Sequence, residues 1–346
     1  MNLSIIYALA AAALFGASTP LAKSLGLGLS PILLAGLLYL GSGIGLAGVR
    51  LIRDRGWKPT GLTPSEWPWL LGAIAFGGLL GPVALMFGLT HTTSASASLM
   101  LNLESVLTAV IAWVVFRENA DRRIVLGMLA IVLGGVVLSG SGADGSRQDW
   151  TGPLAVALAC LCWGIDNNLT RKVSASDALF IAGAKGLIAG LVNCSLALYL
   201  GAQIPGMAQL APILLVGFLG YGISLVMFVL ALRGLGSART GAYFSTAPFL
   251  GAAVALLVFG ESVTVAFWIA SALMAVGVCL HLTERHAHEH VHEATQHGHW
   301  HVHDEHHQHE HGFEWDSKVP HSHEHAHGVM RHSHAHFPDV HHRHRH

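Results

Sequence analysis

Charge is what this chain most lacks. Only 11% of its 346 residues are Asp, Glu, Lys or Arg, where a soluble globular domain carries about 25%. The formal net charge is -1, so no global field exists to hold nucleic acid, and none is expected as a partner. Cysteine is sparse too. Cys160, Cys162, Cys194 and Cys279 all lie in apolar runs, and none forms a Cys-x-x-Cys pair. They read as packing residues rather than a disulfide framework. Nucleophile elbow, phosphate loop and His-Glu-x-x-His are all missing, which argues against an enzyme.

Apolar and small residues fill the space that charge leaves. The chain is 52% hydrophobic and holds 40 glycines. A membrane span needs about 20 mostly apolar residues, and ten segments qualify: 3–23, 31–51, 67–89, 94–116, 123–140, 152–170, 178–200, 207–232, 238–259 and 263–282. The first lacks the positive flank of a signal peptide and is followed by many more, so it reads as a membrane helix. Gly, Ala and Ser let such helices approach closely in lipid.

A cassette occurs twice. Met86-Phe87 followed by an apolar run ending at Glu118 returns as Met227-Phe228 and a run ending at Glu261. Phe15-Gly16 with Lys23 returns as Trp163-Gly164 with Arg171. Arg50, Arg53, Arg55 and Lys58 crowd the second loop. Arg117, Arg122 and Arg123 mark the fourth, Arg171 and Lys172 the sixth, Arg233 and Arg239 the eighth. The odd loops hold little beyond Lys23 and Arg147. The positive-inside rule then places the even loops and both termini in the cytoplasm. Five helices is an odd number, so the second copy enters the bilayer inverted. Such repeats are a common basis of alternating access, with the site at their interface.

The Phe15-Gly16-Ala-Ser-Thr-Pro20 and Trp163-Gly164-Ile-Asp-Asn-Asn168 openings, with Glu118, Glu261 and Pro248, make residues 3–282 resemble the drug/metabolite transporter superfamily, EamA-like branch. The resemblance implies an all-α membrane protein of ten transmembrane helices, two inverted five-helix repeats, and export of a small solute. It leaves the solute open. One departure is Ser105, where the second half has Pro248; it predicts a different kink in helix four.

Ionisable and amide groups inside lipid are costly and usually face a cavity or a partner. Asp166 and Lys185 fall at similar depth on consecutive helices, so an ion pair is expected, either structural or in the substrate pathway. Asn167 and Asn168 follow, matched by Ser18-Thr19-Pro20 in the first copy. Glu104 is mid-helix with Asn102 beside it, and Ser94, Ser98, Asn102 and Ser105 form one stripe. A carboxyl there is either held neutral by serines or carries a coupling proton. The candidate substrate pathway is Asp166, Asn167, Asn168, Lys185, Glu104 and Asn102, and catalytic residues are not expected. His91, Glu118 and Glu261 read as helix-end residues.

Beyond Leu282 the composition changes. All histidines but His91 and His281 lie in 283–346, alternating with small and acidic residues. His286, His288, His290 and His292 form one group; His297, His299, His301 and His303 a second; His321, His323, His325 and His327 a third; His332, His334 and His336 a fourth. Nothing apolar repeats there, so a disordered tail is expected. Imidazole suits Ni, Zn, Co and Cu. The tail therefore reads as a transition-metal-binding tract, with no cofactor required elsewhere.

The organisation expected is a first repeat over 1–140, an external linker 141–151, a second repeat over 152–282 and the tail 283–346. The setting is a bacterial-type inner membrane, with a homodimer left open. Two functions compete. One is an exporter of a small solute with a metal-binding tail, and the other a dedicated divalent metal (Ni, Co or Zn) exporter that uses the tail for capture or sensing. The core shows no intramembrane His/Cys/Asp cluster, which favours the first.

Overall fold

The computed structural model describes residues 3–56, 60, 62–116, 122–140, 150–173, 176–282, 287–292, 295–301, 321–327 and 330–335, with backbone alone for 171, 232–239, 242 and the last four of these segments. Two units form, 1–284 and 285–346.

The first unit is helical among the described residues: α1 (Leu3–Leu25), α2 (Pro31–Asp54), α3 (Trp67–Ala73), α4 (Gly81–His91), α5 (Ser94–Met100), α6 (Leu103–Phe116), α7 (Arg122–Gly140), α8 (Thr151–Arg171), α9 (Ala178–Tyr199), α10 (Met207–Val216), α11 (Ser224–Phe244), α12 (Ala247–Leu257) and α13 (Val265–Leu282). Seven stretches are long and apolar enough to cross a membrane, and Ala247–Leu257 and Val265–His281 are apolar but shorter. α8 has the length, at 21 residues, but its last two turns carry Asp166, Asn167, Asn168, Thr170 and Arg171.

Local chemistry sets the ends. Ser30 caps α2 by accepting from Leu33 N–H at 3.2 Å, with Pro31 in the first turn. Pro suits that place because the missing N–H has no intrahelical partner anyway. Asp177 caps α9 by accepting from Leu179 N–H at 3.1 Å.

Glycine brings helices together in pairs. Gly36 lies against Cys194, Gly43 against Leu187, and Gly190 against Leu40, so α2 and α9 run antiparallel with no room for a Cβ at these points. Gly127 meets Gly277, and Gly134 meets Met274, so α7 and α13 run antiparallel too. Each pair joins equivalent helices of the two copies. Gly16 of α1 abuts Ala247 and Gly251 of α12, while Gly164 of α8 abuts Leu107 and Thr108 of α6. First and fourth helices thus exchange between copies.

Two expectations change here. Residues 207–244 are helical without a loop, where separate spans 207–232 and 238–259 were expected. No proline interrupts 213–244. In the first copy Thr92 is extended and Thr93 caps α5 through Ser96 N–H. The break in the second copy comes later, at Ser245–Thr246 just before Pro248. Helix four also breaks, at Leu101–Asn102, despite Ser105 in place of proline. The Asn102 amide donates to Leu99 C=O at 3.0 Å, and the Ser105 hydroxyl donates to Asn102 C=O at 2.8 Å. Side chains that compete for helix carbonyls bend the chain as proline does.

The second unit, expected without regular structure, contains four short strands. β1 (Ala287–His292) pairs antiparallel with β4 (Met330–Ala335), and β2 (Thr295–His301) with β3 (His321–His327). The register sets His288 opposite His334, His290 opposite His332, His297 opposite His325, His299 opposite His323 and His301 opposite His321. Alternation with period two is the strand repeat, and it, rather than the missing apolar period, decides the backbone here.

Candidate functional site

The site begins at a π-helical stretch, Ile74–Leu80, between α3 and α4. Gly81 N–H bonds five residues back, to Phe76 C=O. The next bond in that register would join residue 82 to Gly77, but Pro82 has no N–H to give. Gly77 C=O is thereby freed. It accepts from Tyr39 hydroxyl at 2.6 Å and from Trp163 Nε1 at 3.1 Å. One carbonyl therefore ties α2, the π turn and α8 together. A second π stretch, Gly217–Ile223, occupies the matching place in the second copy. The backbone of Gly77 lies against Asp166, and that of Gly220 against Ser18, with no room for a Cβ in either case.

Asp166 and Lys185 are both buried. Lys185 Nζ lies 2.6 Å from each carboxylate oxygen of Asp166, and Thr170 hydroxyl donates to Oδ1 at 2.8 Å. The next residue on α8 joins the other copy. Asn167 Nδ2 donates to Glu104 Oε1 at 2.8 Å and to Thr108 Oγ1 at 3.3 Å. Asn168 also reaches α6, donating to Thr108 C=O at 3.2 Å and, within α8, to Gly164 C=O at 2.8 Å. Glu104 is half-buried and Asn167 exposed, while Asn168 is buried.

Of the predicted pathway, Asp166, Asn167, Asn168, Lys185 and Glu104 come together. Asn102 does not. It is buried beside Leu99 C=O and the Met274 sulfur, 3.9 Å away. It sits at the break between α5 and α6, buried like Ser94 and Ser98. His91 stacks on Phe87 with ring centroids 4.9 Å apart.

Sequence reading missed an aromatic cluster. Phe15 lies 6.1 Å from Trp163, 6.0 Å from Tyr221 and 5.5 Å from Phe244, and Tyr39 lies 5.4 Å from Tyr221. The duplicated aromatics Phe15 and Trp163 face one another across the copies. Among the described residues, the buried hydroxyls of Thr19 and Ser98 have no hydrogen-bond partner. Aromatic side chains in an apolar run look like any lipid-facing residue, so only the duplication of Phe15 and Trp163 pointed here.

No three His, Cys, Asp or Glu side chains converge as metal ligands among the described residues. His286, His303 and His336 lie outside those residues, as does Glu118. For the remaining tail histidines only the backbone register is described.

Residues 2–140 and 150–283 each match the profile of a family described as the EamA-like transporter family. An uncharacterized transporter of Methanothermobacter thermautotrophicus is 26% identical over 279 residues, 76% of this chain and 81% of its own length. A probable 4-amino-4-deoxy-L-arabinose-phosphoundecaprenol flippase subunit ArnE of Pseudomonas aeruginosa is 36% identical over 113 residues, 33% of this chain and 94% of its own. A crystal structure superposes with a TM-score of 0.60 at 21% identity, covering 80% of this chain and 95% of that one. It shows a shared fold.

Proposed function

The chain belongs to the EamA-like transporter family, and from that premise we propose that it is a secondary exporter of a small solute, driven by proton exchange. It spans a bacterial-type inner membrane ten times, with both termini cytoplasmic. Two inverted halves rock around the pocket that Glu104, Asn167, Asp166 and Lys185 line, while Phe15, Trp163 and Tyr221 offer the solute an apolar wall.

The observation that carries this reading is the hydrogen bond from Asn167 to Glu104. It joins the fourth helix of one copy to the first helix of the other. It also leaves a carboxyl half-buried, with the other carboxylate nearby already neutralised by Lys185. Intramembrane carboxyls mark proton relays and ion pathways. Solute and proton would compete for Glu104, and loss of its bond to Asn167 would let the halves part.

The His-rich tail binds Ni, Zn, Co or Cu in several weak, exchangeable sites. Alternating imidazoles, several of them paired in register across β1–β4 and β2–β3, support this. A dedicated metal exporter is the second reading, and the same tail favours it. The uncharged, small-residue core favours an organic cargo.

Reconstituted vesicles test both. With a panel of solutes, an imposed pH gradient should accelerate flux of the cargo by the native chain. The same gradient should have no effect on Glu104→Gln, with both proteins inserted equally. Unchanged pH dependence in the variant would remove Glu104 from the mechanism. Cells carrying residues 1–282 alone should lose metal resistance if the tail captures metal as cargo; full resistance and unaltered metal content would count against metal as cargo.

A further inference from the structure

At the end of the bundle where α1 finishes, segments of both copies meet. Thr93 caps α5 with its own hydroxyl, accepting from Ser96 N–H at 3.1 Å. A second cap comes from far along the chain. Glu261 Oε1 accepts from Ser94 N–H at 3.0 Å, and Oε2 from Ala95 N–H at 2.8 Å. Both carboxylate oxygens are thus committed to the first turn of α5. The first N–H groups of a helix lack partners inside it, and the positive end of its dipole favours an anion.

The carboxylate is aimed by the turn behind it. Gly260 has φ +63°, a left-handed conformation that a side chain disfavours. That reversal lets Glu261 N–H donate back to Ala255 C=O at 3.2 Å. Opposite, Lys23 at the end of α1 donates to Thr92 C=O, in the link that leads into the turn of α5 that Glu261 caps. Three junctions are tied at one point: the end of α1, the α4–α5 link and the reversal after α12.

A helix cap alone needs no second copy of the repeat, and Thr93 already supplies one. Glu261 instead spans between copies. It does so at the end of α1, above Phe15 and the aromatic cluster. Eight residues separate Phe15 from Lys23, about 12 Å of helix at 1.5 Å per residue. For the pocket to open on this face, the end of α12 must leave the start of α5. The two hydrogen bonds of Glu261 are the ones that must then break.

We propose that Glu261 and Lys23 form the latch that shuts the pocket on this face, closed in the arrangement described and broken when the pocket opens there. The proposal rests on the alternating-access reading above, but its test reads access and not flux. It makes Glu261 a positioning residue for transport rather than a passive helix end.

The experiment uses the full-length chain in sided vesicles with Phe15→Cys as reporter. A membrane-impermeant thiol reagent is applied from the latch side, and labelling is read at residue 15 by peptide mass, so the native cysteines stay in place. Glu261→Gln keeps the side chain's size but loses the charge that both N–H groups share. It should raise the labelling rate about tenfold, the change that loss of one charge-assisted hydrogen bond produces. Lys23→Gln should move the rate the same way, and Glu261→Asp less. Thermal unfolding checks that each variant is folded, and if Glu261→Gln is not, Lys23→Gln carries the test. Labelling that stays at the native rate in folded variants would overturn the latch and leave Glu261 as a helix cap. If the native chain moves no solute from the panel, the transport reading fails instead, and the labelling result still decides whether this face is latched.

Discussion

Asp166 and Lys185 each cost a great deal to bury alone. Together they lie at 2.6 Å, and Thr170 adds a third bond to the carboxylate. Removing one partner strands the other charge, which costs about 3–5 kcal/mol. Removing both charges does not. Lys185→Met is therefore expected to lower the thermal unfolding temperature sharply. Adding Asp166→Asn to it should recover most of the loss, because neither charge then remains. A double variant as unstable as Lys185→Met would show that the pair's shape, and not its charge, holds α8 to α9. The pairing itself was legible in the sequence. Charges stand out in an apolar run, and two consecutive helices fix their depth. Asn102 stands apart from the other five, bonded at the break in helix four, which spacing alone does not reveal. Tyr39 and Tyr221 left no signal at all, since their partners are a backbone carbonyl and another aromatic side chain, which no local pattern announces.

Among the elements, α2 and α9 approach closely, with glycines at their crossing and charge at one end. Arg50 Nε and Arg53 Nη2 lie 3.0 and 2.7 Å from Asp177 Oδ2. The Arg50 guanidinium also sits 5.2 Å from the centre of the Phe180 ring. Burial pushes the Asp177 carboxyl up, but hydrogen bonds from Arg53 and Arg50 outweigh it and hold the group below the ordinary carboxylate range. A carboxyl lowered in the folded state contributes stability above its unfolded value of about 3.9, and loses it as pH falls through the folded value. Asp177→Asn retains the cap, since Asn caps as well as Asp, but loses the charge. It should be less stable than the native chain at neutral pH, and the gap should shrink as pH drops below about 4. Unfolding curves in detergent across that range check this; a gap independent of pH would assign the loss to packing. Helix existence was readable here from hydropathy alone. The two π stretches and the continuity of 207–244 were not. They depend on which carbonyl finds a donor in a neighbouring helix, and hydropathy does not record that.

The whole membrane unit is organised by duplication. Equivalent helices meet antiparallel at α2 with α9 and at α7 with α13, and the first and fourth helices exchange partners between copies. The chemistry placed on this frame is lopsided. Asp166, Lys185 and Asn167 come from the second copy, whose counterparts in the first include Ser18 and Thr19. In the carrier proposed above, this one polar cluster would serve both halves. If the halves are inverted across the bilayer, matching loops must lie on opposite sides. Leu27 follows the first helix of one copy, and Ser176 the first helix of the other. Leu27→Cys and Ser176→Cys, probed in intact cells with an impermeant thiol reagent, should label from opposite faces, Leu27→Cys from outside and Ser176→Cys only after the membrane is opened. Labelling of both positions from the same face would contradict the account.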